Sequence, residues 1–526
     1  MKKIVLFLTI CTALLSVSCD QDQILDQPIQ GRQQLDDFFS SADNSEFFVN
    51  GIYQLVNGTN WNQVNFQRQI NEMASDDNWA GNTRQPRPDI TGIAQYNVFP
   101  GSTYFNLFWE NHYIGITRAN ISLDRIPNID FDETQKNQLL AEAKFLRAFF
   151  YFDLVRNFGG VPIVESYNEI LEPTINDKER ATVAEVYEFV EKDLIDAIAA
   201  LPLKSEQSAE QGGRATKGAA QSLLAKVYLF EEKWAEAQAM AKTVMDSGEY
   251  ALETDFADIY RVGNLNGIET IFEVQYINNQ TFNGVGGQFA ITNGSRGDRG
   301  WGWASPTSDL ENAFLSEGDE IRLRSTIIKH GESVFGDPAV TSFDGRPTEN
   351  KSGRTNRKYY IPTAERPEPY QRGQLPLHYI HLRLADVILI HAEAAYFNGD
   401  ETSAKNSLEL IRDRVELDTN MSLSGAALRD AIWKERRLEL ALEQHRLYDI
   451  RRQKINGVPR IALILGPNGS FVKYNTEEST DPFETTNLLE PQNSGTLFDA
   501  NIHMLWPVPP EEIQLSRGKI IQNPGY

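Results

Sequence analysis

Apolar residues recur at helical spacing through most of the first half of the chain. In "AEAKFLRAFFYFDLVRNFGG", Phe145 and Phe149 lie on one apolar face, and Leu146 and Phe150 lie on a second. Two apolar faces indicate a helix that is buried on two sides. The glycine pair at 159–160 ends this predicted helix, because glycine adopts the backbone conformations that close a helix C-terminus.

Three further helical patterns follow along the chain. Thr182 and Glu185 have the spacing of a capping box, which predicts the start of a helix in "TVAEVYEFVEKDLIDAIAALP". In "ATKGAAQSLLAKVYLFEEKWAEAQAMAKTVMDSGEY", Ala225 and Ala237 stand where the two helices of a tetratricopeptide hairpin approach closely. A comparable hairpin, with Ala392 in the matching place, is predicted in "LADVILIHAEAAYFNGDETSAKNSLELIRDR". It lies too far along the chain to be a tandem copy.

Helical periodicity fades between residues 250 and 375, where glycine, asparagine and proline become frequent. The run "TIFEVQYI" predicts a strand, and most of the remainder predicts long loops. Such loops are usually functional or disordered, and the aromatic residues here argue against disorder. A charged amphipathic helix is then predicted in "IWKERRLELALEQHRLYDIRRQ". Its interspersed glutamates favour a solvated or salt-bridged helix over an anion-binding one.

The N-terminus has the pattern of an export signal. Lys2 and Lys3 precede an apolar stretch that is shorter than the roughly 20 residues of a membrane-spanning helix. The small residues of "LSVSC" resemble a bacterial lipobox, which predicts that Cys19 is acylated after residues 1–18 are removed. Residues 19–36 then form a lipid-anchored tether, and several acyl chains on one cysteine anchor firmly. Because Cys11 leaves with the signal, no disulfide can form within the mature chain.

The composition excludes some partners. The 526 residues include 73 acidic and 50 basic side chains, for a formal net charge of −23. Nucleic-acid affinity depends on basic residues that neutralise phosphate, so this balance argues against a nucleic-acid partner. An acidic surface is compatible with a neutral ligand such as a sugar.

Segments in several parts of the chain resemble, in order, the recurring blocks of the SusD/RagB family of outer-membrane nutrient-binding lipoproteins. They are "EAKFLRAFFYFDLVRNFGGVPIV", "RATKGAAQSLLAKVYLF", "LRLADVILIHAEAAYF", "ERRLELALEQHRLYDIRR" and "PVPPEEI" with the closing "IIQNPGY". Two positions depart from the family pattern. Gln444 stands where glycine is more frequent, and Gln453 stands where a tryptophan often follows the arginine pair.

The resemblance implies a mainly α fold, in which degenerate tetratricopeptide helical pairs form a scaffold below a long, loop-rich, ligand-facing region. It implies an N-terminal helical region at 37–250 and a C-terminal region at 251–526. The C-terminal region divides into loop-rich 251–375, helical 380–455 and a loop-rich tail at 456–526. The resemblance also implies a location on the outer face of the outer membrane, anchored by lipid. There the protein would bind an oligosaccharide, less often a peptide, and deliver it to a TonB-dependent transporter of the SusC type.

A sugar ring presents a face of C–H groups on which an indole can stack. In "SRGDRGWGWASP", Trp301 and Trp303 are predicted to contact such a ligand, with Arg299 supplying polar contacts. On an extended strand, alternation would place both indoles on one face. The alternative is that both tryptophans hold the long loop against the helical scaffold.

A second candidate segment is "ASDDNWAGN", where Asp77 and Asn78 place polar groups beside Trp79. The resemblance implies that aromatic residues from this loop and from the loop of Trp301 and Trp303 line one shallow site. The alternative is an Asx-rich turn with a packing tryptophan. Weaker candidates are Trp61, Tyr96 and Tyr104, whereas the helical patterns around Trp109, Trp234 and Trp433 are typical of core positions.

Enzyme motifs are absent from the sequence. It contains no HExxH, CxxC or G-x-S-x-G, and only His378 and His381 are close enough in sequence to suggest a metal pair. We therefore predict no metal, no cofactor and no catalysis. A lipid-anchored glycoside hydrolase is the principal alternative, because it needs only two facing carboxylates, for which Asp76 and Asp77 are the obvious pair. A second alternative keeps the fold and changes the cargo to peptide.

Overall fold

The computed structural model describes most of the chain beyond residue 34. The described residues are 35–57, 68, 71–79, 92–276, 289–294, 300–329, 331–334, 337, 352–366, 368, 375–467, 469–471 and 498–526. The predicted signal peptide, Cys19 with most of the tether, Trp61, Arg299 and the side chain of Trp79 lie outside them.

The described part of the chain is mainly helical. Its α-helices are α1 (Leu35–Phe38), α2 (Ala42–Asn57), α3 (Thr103–Arg125), α4 (Glu133–Phe158), α5 (Tyr167–Leu171), α6 (Val183–Ala200), α7 (Lys217–Phe230), α8 (Trp234–Met245), α9 (Phe289–Asn293), α10 (Ser308–Glu317), α11 (Glu320–Thr326), α12 (Leu384–Phe397), α13 (Glu401–Asp413), α14 (Gly425–Glu439), α15 (Arg446–Arg452), α16 (Arg460–Leu465) and α17 (Pro510–Leu515). Within these residues, no helix combines the length and apolar character that crossing a membrane requires.

The strands of the described residues form two-stranded antiparallel ribbons. The strands are β1 (Asn78–Trp79), β2 (Thr270–Val274), β3 (Ser305–Pro306), β4 (Ile327–Lys329), β5 (Arg354–Asn356), β6 (Tyr379–Arg383), β7 (Lys454–Ile455) and β8 (Val458–Pro459). The ribbons are β1–β3, β2–β6, β4–β5 and β7–β8. The strand predicted in "TIFEVQYI" is confirmed as β2.

The main helices pack on one another in succession. α2 packs on α3, α3 on α4, α4 on α6, and α6 on the hairpin of α7 and α8. α8 packs in turn against α12, which forms the second hairpin with α13. The small residues predicted at these contacts, Ala225, Ala237 and Ala392, are fully buried, and so are Ala241, Ala395 and Ala404. The two hairpins, distant in the chain, are therefore neighbours in one scaffold.

The predicted helix boundaries are also confirmed. α4 is followed by Gly159, whose φ of 76° lies in the region that favours glycine. At the start of α6, the amide of Glu185 donates to Thr182 Oγ1 at 3.2 Å, and the amide of Thr182 donates to Glu185 Oε2 at 2.7 Å. This is the reciprocal capping box that the sequence predicts.

One predicted helix is interrupted. The segment 432–453 was expected to be continuous, but α14 and α15 are separated by a turn in which Leu442 and Gln444 have φ values of 65° and 62°. Within this turn, buried Glu443 accepts hydrogen bonds from Arg383 Nε and Nη2, both at 2.8 Å. These ion pairs from a distant strand outweigh the local helical pattern.

Gln444 has a backbone conformation that glycine adopts without strain. A residue other than glycine with positive φ is strained by about 1–3 kcal/mol. Here the hydroxyl of Tyr379 donates to the side-chain oxygen of Gln444, a contact that glycine could not make and that offsets part of the strain.

Two helical glycines give a matched test of how closely α3 and α4 pack. A Cβ added at Gly115 of α3 would overlap the ring of Phe150, whereas a Cβ at Gly51 of α2 would make only an ordinary 3.5 Å contact with Arg118. We expect Gly115→Ala to lower the free energy of unfolding by about 1–3 kcal/mol, as overpacked cores do. Gly51→Ala should raise it by up to about 1 kcal/mol, because alanine favours helix. Urea denaturation measures both, and equal effects of the two substitutions would contradict the close packing.

Candidate functional site

The β1–β3 ribbon brings together the two segments that the sequence singles out. Trp79 pairs with Ser305, and Asn78 pairs with Pro306, although the segments lie far apart in the chain. The ribbon continues beyond β3, where the amide of Thr307 donates to the carbonyl of Asp77 at 3.0 Å. The backbone of Trp79 therefore lies beside the segment that carries Trp301 and Trp303.

Backbone hydrogen bonds hold the two loop tryptophans on α9. The amide of Trp301 donates to the carbonyl of Ile291 at 2.6 Å, and the amide of Trp303 donates to that of Thr292 at 3.0 Å. Gly302, between them, has a φ of 61°, so the segment is not the extended strand that the alternation prediction assumed. The extended strand that the sequence predicts for this segment is therefore not formed.

The two indoles nevertheless lie together. The ring centroids of Trp301 and Trp303 are 4.6 Å apart, and the ring planes are tilted by 38°. Both side chains are half-buried and pack against the main hydrophobic core. The two readings of the sequence are therefore compatible, because the same indoles attach the loop to the scaffold and keep part of their surface exposed. We call Trp79, Trp301 and Trp303 the tryptophan site.

Asp76 and Asp77 lie in a buried ion-pair cluster beneath this ribbon. Arg446 donates from Nε and Nη2 to the two carboxylate oxygens of Asp76, each at 2.8 Å. Arg437 donates from Nε to Asp77 Oδ1 at 2.7 Å and from Nη2 to Asp309 at 2.6 Å. The side chains of Asp76 and Asp77 are only 3% and 0% exposed. The carboxylates are therefore buried and are not exposed to a ligand.

Asn78 is buried as well. It is 3% exposed, and its side-chain nitrogen donates to Glu72 Oε1 at 3.5 Å. Asp77 and Asn78, expected from the sequence to contact a ligand, thus face groups of the protein itself. The sequence did not single out Arg437 and Arg446, the partners of Asp77 and Asp76, as residues of the site. The only signal for them was the mixture of arginine and glutamate on one predicted helix.

The electrostatics of this cluster follow from burial and pairing. Burial alone would raise the pKa of Asp76, but Arg446 and Arg437 outweigh it and hold that pKa below its ordinary value. Burial raises the pKa of Asp77, and the neighbouring carboxylate of Asp76 adds to the rise. Burial and Asp77 also raise the pKa of Glu72 well above its ordinary value. The carboxylates of the cluster that remain charged are therefore paired with the guanidinium groups of Arg437 and Arg446.

The other sequence candidates lie in the interior. Tyr96, Tyr104, Trp109 and Trp433 are buried, and half-buried Trp234 stacks on the ring of Phe397. His378 is buried next to β6, and His381 lies within that strand. Among the described residues, no group of three or more His, Cys, Asp or Glu side chains is arranged to hold a metal ion.

The described helices pack in succession as one helical scaffold, and two family models match the chain. A model of SusD-like proteins, described as "Starch-binding associating with outer membrane", matches residues 15–229. The model of the SusD family itself matches residues 268–526. The chain belongs to the SusD/RagB family.

Individual relatives agree with this assignment. SusD-like protein P2 of Formosa agariphila is 29% identical over 448 residues, which cover 80% of each chain. A SusD-like protein of Bacteroides fragilis is 26% identical, with a TM-score of 0.76 over 94% of this chain and 100% of that one. A laminarin-binding SusD-like protein is also 26% identical, with a TM-score of 0.73 over 92% of this chain and 99% of that one.

The ion pair below β1 can be tested with a matched pair of arginines. Arg446→Met leaves Asp76 buried without its principal partner, and we expect a loss of about 3–5 kcal/mol in the free energy of unfolding. Arg324→Met removes an exposed partner of Glu320 and should change stability little. Urea denaturation at neutral pH measures both. Equal effects would show that the buried pair does not hold the ribbon, and adding Asp76→Asn to Arg446→Met should recover part of the loss.

The turn between α14 and α15 predicts acid sensitivity. Burial, with the nearby ammonium of Lys226, lowers the pKa of His445 to about 3. Between about pH 6.5 and 3, the unfolded chain therefore binds a proton at this histidine and the folded chain does not. Stability should therefore fall as the pH drops from about 6.5 toward 3. Arg383 and Lys358 outweigh burial and lower the pKa of Glu443 to about 2. That contribution should be lost as the pH falls from about 4.5 toward 2.

Urea midpoints at a series of pH values measure this dependence. His445→Asn should reduce the fall in stability between about pH 6.5 and about pH 3, and it should change the slope below about pH 3 little. Equal slopes in the variant and the unchanged protein between about pH 6.5 and 3 would contradict the neutral, buried state of His445.

Proposed function

We propose that this protein binds an oligosaccharide at the tryptophan site, on the cell surface, and delivers it to a TonB-dependent transporter of the SusC type without chemical change. The observation that carries the proposal is the pairing of Trp79 with Ser305, close in the chain to the half-buried indoles of Trp301 and Trp303. The two segments that the sequence singles out thereby lie side by side.

Stacking explains how such a surface would hold a neutral sugar. An indole offers an apolar face to the C–H groups of a pyranose, together with an N–H donor for a hydroxyl. Because the indoles of Trp301 and Trp303 contact each other, the pair offers one stacking surface for a sugar ring rather than two coplanar ones. Their attachment to the core fixes that surface before the ligand arrives, which reduces the entropic cost of binding.

The relatives supply the cargo class to test first. One family model carries the description of starch binding, and one structural relative is named for laminarin binding. The lipobox at Cys19 supports attachment to the outer membrane, and the family assignment supports a transporter partner. Arg299 is proposed as a polar contact to the same ligand.

The alternative of a glycoside hydrolase loses its principal candidates. Asp76 and Asp77 are buried, and both are engaged by arginines. Incubation with laminarin and starch, followed by an assay for new reducing ends, tests the proposal of binding without catalysis. Release of reducing ends by the purified protein would overturn it.

Truncation of the tryptophans tests the site itself. We expect Trp301→Ala or Trp303→Ala to weaken laminarin or starch binding about tenfold, the equivalent of about 1.4 kcal/mol, measured by affinity electrophoresis or calorimetry. Each substitution should also lower the melting temperature modestly, because both side chains are half-buried. Trp234→Ala is the matched control, since Trp234 is another half-buried tryptophan that packs on the same core. Its stability should fall similarly while binding stays unchanged.

Two results would contradict this assignment. If Trp234→Ala weakens binding as much as the loop variants do, the effect reports on stability and not on contact. If neither loop variant weakens binding, the tryptophans serve the scaffold alone.

A further inference from the structure

A cleft of about 460 Å³ lies between α3, the chain that follows α4, and the C-terminal helix α17. It is within the size range of small-ligand sites, about 300–1,000 Å³. Its lining includes Trp109, Tyr113, Ile114, Arg118 and Leu515, none of which belongs to the tryptophan site. The proposed carbohydrate function leaves this cleft without a role.

The walls of the cleft are apolar and well fixed. The ring centroids of Trp109 and Tyr113 are 5.2 Å apart, and the hydroxyl of Tyr113 donates to the carbonyl of Pro162 at 2.7 Å. Ile114 and Leu515 stand at the rim and are 37% and 57% exposed. An apolar group that enters the cleft would cover these two side chains, and their removal from water favours binding.

Two cations line the cleft, Lys178 and, at one end, Arg118. The ammonium of Lys178 is engaged within the protein, because it donates to the carbonyl of Ile163 at 2.6 Å and pairs with Glu169. The guanidinium of Arg118 donates through Nη1 to the carbonyl of Gly51 at 2.6 Å. Within the described part of the chain, no carboxylate lies at ion-pair distance from it, and partial burial lowers the pKa of Arg118. Such a guanidinium favours a ligand that brings a carboxylate, because a charge-assisted hydrogen bond would offset the cost of burial.

The other end carries carboxylates. Glu512 lines the cleft, and burial raises its pKa, with a lowering contribution from its hydrogen bond to Trp109 and a further rise from Glu511 and Glu110. Glu110 also lines the cleft and is exposed. A positively charged group at this end would relieve the repulsion among these carboxylates.

The distance between the two ends gives the length of the ligand. Glu110, Ile114 and Arg118 follow one another at intervals of four residues, so they lie on one face of α3. At 1.5 Å per residue, Glu110 and Arg118 are separated by about 12 Å along the helix axis. An extended peptide spans about 3.3–3.6 Å per residue, so about three residues bridge that distance.

We propose that this cleft binds a short peptide of about three residues, with an apolar body between Ile114 and Leu515. Its C-terminal carboxylate would lie at Arg118, and its N-terminal ammonium would lie at Glu110 and Glu512. The site is separate from the tryptophan site and does not depend on the function proposed for it.

A cycle of changes on both partners tests the orientation. The probe is the tripeptide Leu-Ala-Leu with free termini, titrated into the purified protein by calorimetry at millimolar concentration, alongside the same peptide with an amidated C-terminus. With the unchanged protein, amidation should weaken binding about tenfold. With Arg118→Gln, the free and amidated peptides should bind equally weakly. Arg324→Gln is the control and should behave as the unchanged protein does, because Arg324 is an exposed arginine outside the cleft lining.

A blocking substitution tests the location. Ile114→Glu places a charge at the apolar rim and should abolish binding of the tripeptide, while a urea midpoint close to that of the unchanged protein shows that the variant is folded. Trp303→Ala should leave tripeptide binding unchanged. The proposal is overturned if the unchanged protein shows no binding, or if amidation has the same effect with Arg118→Gln as without it. It is also overturned if Trp303→Ala rather than Ile114→Glu removes binding, since the peptide would then occupy the tryptophan site.

Discussion

The structure depends on charges that are buried at the junction of α14 and α15. Arg436 donates a hydrogen bond to Asp386 of α12. Glu439 and Glu443 both accept hydrogen bonds from Arg383 of β6. A buried charge without its partner costs several kcal/mol, so each of these elements must be in place for the others to be tolerated. Well-packed apolar residues of the same volume could give similar stability. What the charges add here is directional contact between parts of the chain that are far apart in sequence.

The same junction explains how a site can be built from loops. The segments around Trp79 and Trp301 are rich in glycine, aspartate and asparagine, which favour local turns but do not bring two distant segments together. Arg437 and Arg446 supply a long-range contact, because they hold the carboxylates immediately before β1. The helical scaffold therefore positions the tryptophan site through ion pairs as well as through apolar packing, and a surface fixed in this way pays less conformational entropy when it binds.

The sequence was sufficient wherever a local pattern determined the outcome. Local patterns were enough to predict the apolar faces of α4, the capping box before α6, the two alanine-marked hairpins and the strand β2. The sequence was insufficient where contacts between distant residues determine the local structure. The break between α14 and α15 follows from the pairing of Glu443 with Arg383, and no local signal in the predicted helix indicates it. The convergence of Trp79 with Ser305 was expected only from the family resemblance, since pairing of two-residue strands leaves no periodicity to detect.

The burial of Asp76 and Asp77 also changes how the net charge of −23 should be read. Among the described residues, buried carboxylates outnumber the buried arginines and lysines, and acidic side chains also outnumber basic ones among the residues that are not buried. An acidic exterior gives a neutral sugar neither attraction nor repulsion, which leaves recognition to aromatic stacking and hydrogen bonds at fixed positions. A carboxylate ligand meets an unfavourable field everywhere except near a local cation. Arg118 is such a cation, and the other cation in the lining, Lys178, is already paired with Glu169. The selectivity of the cleft would therefore arise mainly from the guanidinium of Arg118 set against an acidic surface.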